Sequence, residues 1–82
     1  MTDTLTAAEI AANYTAMGHS VDLINGIIAG TQMAGEDAAD KQDCVDRNVE
    51  HLQLMVAKDY WTTEDMTAVN AAITAGQGYT AS

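Results

Sequence analysis

Apolar residues recur at helical spacing in three blocks of the chain, and polar residues suited to helix ends separate the blocks. In the first block Ile10, Tyr14, Met17, Val21, Ile24 and Ile28 follow one another by alternating steps of four and three. At ~100° per residue they gather on one side of a helix. Leu5-Thr6-Ala7-Ala8-Glu9-Ile10 reads as its start. The Thr6 hydroxyl can accept from the Glu9 amide, the Glu9 carboxylate can reach back, and Leu5 and Ile10 supply a hydrophobic staple. Gly30 supplies the stop. The pattern predicts one helix over residues 7–29. Gly18 and Gly26 oppose it, at about 1 kcal/mol each relative to alanine. Asn25-Gly26 between apolar pairs is also a hairpin signal, and a break near Gly18-His19-Ser20 is a second alternative.

In the second block Ala38, Val45, Val49, Leu52 and Val56 share one face, with Glu36, Asp40, Asp43, Asp46 and Glu50 opposite. Glu36 and Asp37 suit a helix N-terminus, and Lys58 suits a C-terminus. Asp37–Lys41 and Asp43–Arg47 are acid-before-base pairs four residues apart. The expected helix covers residues 36–58. The third block opens with Trp61-Thr62-Thr63-Glu64-Asp65-Met66, which repeats the pattern of the first opening: apolar, Thr cap, acid at the third helical position, apolar. A Thr62 cap and a Trp61–Met66 staple predict a helix from 63 to about 75, ended by Gly76 and Gly78, with Tyr79 to Ser82 as a tail.

Short connections imply antiparallel neighbours. The expected fold is all-α: a small three-helix bundle in one domain over residues 1–82, two long helices forming a hairpin and a shorter third packed across it. The stripes do not close completely. Leu23 and Ile27 fall on a flank of the first helix, and Leu54 falls on the acidic side of the second. Whatever part of these the third helix leaves uncovered is a candidate self-association surface, Leu23 and Ile27 first among them.

Composition sharpens that picture. The 82 residues are 48% hydrophobic but contain no Phe and only one Trp, so Leu, Ile, Val and Met must fill the core. Twelve acids face three basic residues, for a formal net charge of −9. Phosphate contacts need basic side chains, so binding to nucleic acid or to an anionic membrane surface is disfavoured. A positively charged partner, a cation or plain solubility remains, and solubility is the ordinary reason for such a charge. One cysteine makes no internal disulfide, and the N-terminal residues have no signal-peptide pattern. The most apolar stretch, residues 21–30, is too short to span a bilayer. A soluble cytoplasmic protein is expected.

Candidate chemistry is sparse. Cys44 and His51 lie seven apart on one flank of the second helix, near Asp40 and Met55. The residue types suit zinc, but the spacing is not that of a paired zinc motif and His19 belongs to another helix. About 10 Å along the helix also separates them too far for a nucleophile and its base. The expected role is structural, a half-buried flank under the third helix. No phosphate loop, serine elbow or His-Glu-x-x-His motif is present, so no catalytic residue, metal or cofactor is expected. The distinctive surface is the acidic run Glu36, Asp40, Asp43, Asp46 and Glu50 with Leu54 among it. Its ordinary reading is the solvated face of an amphipathic helix; its sharper reading is a candidate partner surface, either for docking a basic protein or for imitating a phosphate backbone before a nucleic-acid-binding protein.

The stretches Arg47-Asn48-Val49-Glu50-His51-Leu52-Gln53-Leu54-Met55 and Lys58-Asp59-Tyr60-Trp61-Thr62-Thr63-Glu64-Asp65 resemble short orphan proteins of marine tailed phages. They also resemble stretches at the ends of phage structural proteins. The resemblance covers the second half of the chain and brings no activity or site residue. It implies a viral or metagenomic origin and association with the virion, and the leading expectation is a non-enzymatic helical interaction module that works by packing and self-association.

Overall fold

A computed structural model describes residues 5–82. It has three helices, α1 (Ala7–Ala29), α2 (Ala38–Val56) and α3 (Thr67–Gln77), each in contact with the other two. The architecture is the expected three-helix bundle, with no strand among the described residues. Met17, Val21, Ile24 and Ile27 of α1, Val45, Val49 and Leu52 of α2, and Val69 and Ala72 of α3 form one buried cluster.

The first helix forms with the predicted bounds because its ends are chemically specified. The Glu9 amide donates to Thr6 Oγ1 at 3.1 Å, and the Thr6 amide donates to Glu9 Oε1 at 2.9 Å. At the other end Gly30 sits at φ 83°, where a side chain would be strained. Its amide donates to the Ile27 carbonyl at 3.2 Å, and the Thr31 amide donates to the Gly26 carbonyl at 2.8 Å. This is the Schellman pattern. Neither Gly18 nor Asn25-Gly26 interrupts the helix, so the hairpin and break alternatives fall away. The connection then turns through Met33, a non-glycine residue at φ 54° whose side chain packs against the core. Burial of that side chain offsets the left-handed backbone.

The cap makes α1 sensitive to acid. Bonds from the Thr6 amide and hydroxyl hold the Glu9 carboxyl below its ordinary value of 4.5. A depressed folded-state pKa means that the contribution is complete above the unfolded value and is lost as pH falls through the folded one. Glu9→Gln keeps an acceptor but no charge. In melts followed by circular dichroism it is expected to be less stable than the parent at pH 7, with the gap closing below about pH 4.5. A gap that persists at pH 2.5 would show that the carboxylate charge is not what the cap uses. Thr6→Ala should cost about 1 kcal/mol at pH 7.

α2 is two residues shorter than expected at each end, within ordinary fraying of helix bounds. α3 departs for a definite reason. It starts at Thr67, not at residue 63, and neither the Thr62 cap nor the Trp61–Met66 staple forms. Trp61 is drawn elsewhere: its indole N–H donates to the Met55 carbonyl at 2.7 Å, closing the end of α2. Its ring lies 4.7 Å from that of Tyr60 and 6.2 Å from that of Tyr14. The groups that would have made the first turn of a longer helix are also engaged. The Asp65 carbonyl accepts from the Tyr14 hydroxyl at 2.6 Å, and Asp65 Oδ1 accepts from the Thr67 amide at 2.9 Å. Bonds from the Thr67 hydroxyl and amide hold the Asp65 carboxyl below its usual range.

Gly76 does not stop α3, which runs through it to Gln77. The glycine is buried, and a Cβ there would lie 2.3 Å from Val49 Cγ2 and 3.3 Å from Val45 Cγ1. Close helix approach, rather than termination, explains it. The contacts Tyr14–Asp65 and Ile24–Gly76 show that α3 runs alongside α1 in the same direction. Eleven residues span only ~16 Å, against ~34 Å for α1, so α3 ends near the level of Ile24.

That difference in length corrects the reading of α1. Ile28, assigned to the main apolar face, lies one turn beyond the end of α3 and is 41% exposed. Ile27, assigned to a free flank, is 3% exposed and belongs to the core, and Leu23 is half-buried against it. The pair singled out for self-association is therefore largely taken up within the bundle.

Candidate functional site

Each helical position on the outer side of α2 follows from the inner stripe Val45, Val49 and Leu52. Residues half a turn away from a buried one must face water. Asp40, Asp43, Asp46 and Glu50 are all exposed, and Glu36 is exposed just before the helix N-cap, Asp37. Leu54 stands at the far end of the same side, 62% exposed, the most exposed large hydrophobic residue described. From Asp40 to Leu54 the stripe is ~21 Å long.

The acids are not equivalent. Asp43 Oδ2 receives Arg47 Nε at 2.8 Å, the four-residue pair read from the sequence. Both side chains are largely exposed, so the pair is worth at most about 1 kcal/mol and remains open to competition by a partner. Asp46 Oδ1 accepts from Gln42 Nε2 at 3.0 Å. The expected Asp37–Lys41 pair is absent among the described residues. Lys41 instead donates from Nζ to the Ser82 carbonyl at 3.3 Å, because the C-terminal residues return to α2.

That return is the arrangement sequence reasoning missed. Residues 79–82 are not a free tail. The Gln42 side-chain amide donates to the Tyr79 carbonyl at 3.2 Å and accepts from the Ala81 amide at 2.8 Å. It thereby bonds both a carbonyl and an amide of the segment that follows α3. Tyr79 also packs against the core. No local motif announces the long-range bonds of Gln42.

The Cys44–His51 flank is not assembled. Cys44 is half-buried, with Asn48 Nδ2 donating to its carbonyl at 2.8 Å and 3.6 Å from its Sγ. His51 is exposed, not half-buried as expected. The third helix does not cover this flank, since Gly76 meets α2 at Val45 and Val49, ~100–140° round the helix from Cys44. Among the described residues no three His, Cys, Asp or Glu side chains converge on a point that would hold a metal ion. No described helix is long and apolar enough to cross a membrane. Glu64 in the α2–α3 connection has Oε2 accepting from the Thr63 hydroxyl at 3.2 Å, while Oε1 is buried without a partner among the described residues.

No protein-family model matches the chain, and no curated protein or solved structure is significantly similar to it.

Proposed function

We propose that the protein is a non-enzymatic helical interaction module that docks a basic protein partner through the outer side of α2. The observation that carries this reading is Leu54, a 62% exposed leucine at the end of a stripe that carries Asp40, Asp43, Asp46, Arg47, Glu50 and His51. An exposed leucine one turn beyond Glu50, with the other acids further back along the same side, offers an apolar anchor where binding energy concentrates. The surrounding charge would guide a basic partner toward it and set the register. The three-helix core supplies a rigid support. A phage accessory or virion-associated role is the biological setting that the sequence resemblance suggests.

A basic partner fits better than self-association, the leading expectation from the sequence. Ile27 and Leu23 are engaged within the bundle, and the apolar residues left exposed, Ile28 and Leu54, sit at opposite ends of the helical hairpin. Two copies at −9 each would also repel. Inhibition of a nucleic-acid-binding protein by an acidic surface is the more specific form of the same reading.

The test is capture from infected host cells with the parent and two variants, Leu54→Asp and the neutralised Asp43→Asn/Asp46→Asn/Glu50→Gln. The expected result is one basic protein retained by the parent at 0.1 M salt and reduced more than tenfold by either variant or by 0.5 M salt. A partner held equally by all three proteins at both salts would reject the α2 surface. Concentration-dependent dimerisation in sedimentation, abolished by Leu54→Asp, would return the assignment to self-association.

A further inference from the structure

Gly18 has no packing reason to be glycine. It lies inside α1, where it costs about 1 kcal/mol relative to alanine, yet a Cβ there would meet nothing within 4 Å. Gly76, by contrast, could not carry a Cβ without striking Val49. The space over Gly18 is one end of a groove of about 200 Å³ between α1 and α3, lined by Tyr14, Gly18, Val21, Asp22, Ala68 and Val69. Its walls are already set. The Tyr14 hydroxyl is bonded to the Asp65 carbonyl, and its ring rests against Trp61.

The geometry points to a binding site for one basic side chain, lysine or arginine, of a partner polypeptide. The volume is below the roughly 300–1,000 Å³ of sites that enclose whole small molecules, and it suits a single long side chain. Val21, Ala68, Val69 and the Tyr14 ring offer an apolar channel for a methylene stem. Asp22 is the one charged residue lining it, and among the described residues it has no ion pair and accepts no side-chain hydrogen bond. From Gly18 to Asp22 is one turn, ~6 Å along the helix, comparable to the reach of a four-carbon stem. A chain carrying −9 attracts such a group, and the exposed Asp22 carboxylate can pair with it where a neutral apolar side chain makes no such contact. A preformed groove imposes little ordering cost on the protein. The site lies across the bundle from the outer side of α2 and stands independently of the reading given for that surface.

The experiment titrates the full chain, labelled with nitrogen-15, with the capped tripeptide acetyl-Gly-Lys-Gly-amide and with its norleucine counterpart at low salt. With the lysine peptide the amide signals of Gly18, Asp22, Ala68 and Val69 are expected to shift saturably. The norleucine peptide and the Asp22→Asn variant should each bind about threefold more weakly, the effect of one exposed ion pair. Gly18→Leu, which fills the groove, should weaken binding more than tenfold while circular dichroism shows undiminished helix. If Gly18→Leu loses helix, Asp22→Asn against the parent decides the matter. The proposal is overturned if the lysine peptide moves only signals of residues 40–54. It is equally overturned if lysine and norleucine act alike, or if Asp22→Asn changes nothing.

Discussion

Replacing Gly76 by alanine is expected to destabilise the bundle by about 2 kcal/mol, although alanine is the better helix former. Helix propensity alone favours the substitution by about 1 kcal/mol. Against it, the new methyl would lie 2.3 Å from Val49 Cγ2, with Val45 Cγ1 at 3.3 Å and Ile24 Cγ2 at 3.5 Å closing the other directions. Val49 is itself 7% exposed and has little room to turn away. Relief therefore requires α3 to move off α2, and overpacking of this kind costs typically 1–3 kcal/mol or more. For a domain of this size the melting temperature should fall by roughly 10 °C. The decisive control is the pair Gly76→Ala/Val49→Ala. If the clash is the cause, removing the Val49 methyls makes the second substitution cheaper than it is in the parent, with a coupling of about 1 kcal/mol or more. Strict additivity, or a stabilised Gly76→Ala protein, would show that α3 does not approach α2 as closely as described.

Leu52→Ala is expected to have a still larger effect, about 2–5 kcal/mol. Leu52 is fully buried, and with Met17, Ile24 and Val45 it is among the largest such side chains in the molecule. The core has no Phe and Trp61 lies only at its margin, so aliphatic residues carry the burial with little redundancy. Small domains have roughly 0.05–0.15 kcal/mol of stability per residue, about 4–12 kcal/mol for this chain. The substitution should thus consume a large part of it, leaving a protein with a broad transition or one unfolded at 37 °C. Urea titration followed by circular dichroism measures this directly. A midpoint within experimental error of the parent would mean that the site collapses onto the cavity. Leu54→Ala, two residues along but 62% exposed, is the matched control and should change stability by less than about 0.5 kcal/mol.

The contrast between these two leucines was legible in the sequence, because a period of 3.6 separates inner from outer positions on a long helix. So was the start of α1, where Thr6 and Glu9 specify a local hydrogen-bond exchange that needs nothing distant. The same signature misled at Trp61–Met66. There the local motif competed with partners outside it, the Tyr14 hydroxyl for the Asp65 carbonyl across the bundle and the Met55 carbonyl for the Trp61 indole at the end of α2, and those partners won. Gly76 was misread for a related reason: a glycine that ends a helix and one that admits a neighbouring helix look identical in one dimension. Ile27 and Ile28 exchanged roles because helix periodicity cannot say where a shorter neighbour stops. Of the candidate site, the acidic side of α2 with Leu54 followed from spacing. The open space over Gly18 and the reach of Gln42 depend on tertiary geometry and had no local signature.

The two ends of α3 bear on how the molecule opens. This helix buries only Val69, Ala72 and Gly76, and by area alone it should peel away from the α1–α2 hairpin first. It is fastened, however, at both its extremities: the Tyr14–Asp65 bond before its first turn, and the Gln42 amide on Tyr79 and Ala81 after its last. Peeling must release one fastening or the other, so the ends cannot fray without disturbing α1 or α2. Amide protons of α3 should therefore exchange with solvent at rates close to those of the longer helices, and the bundle should come apart as one cooperative unit rather than a stable hairpin shedding a loose third helix.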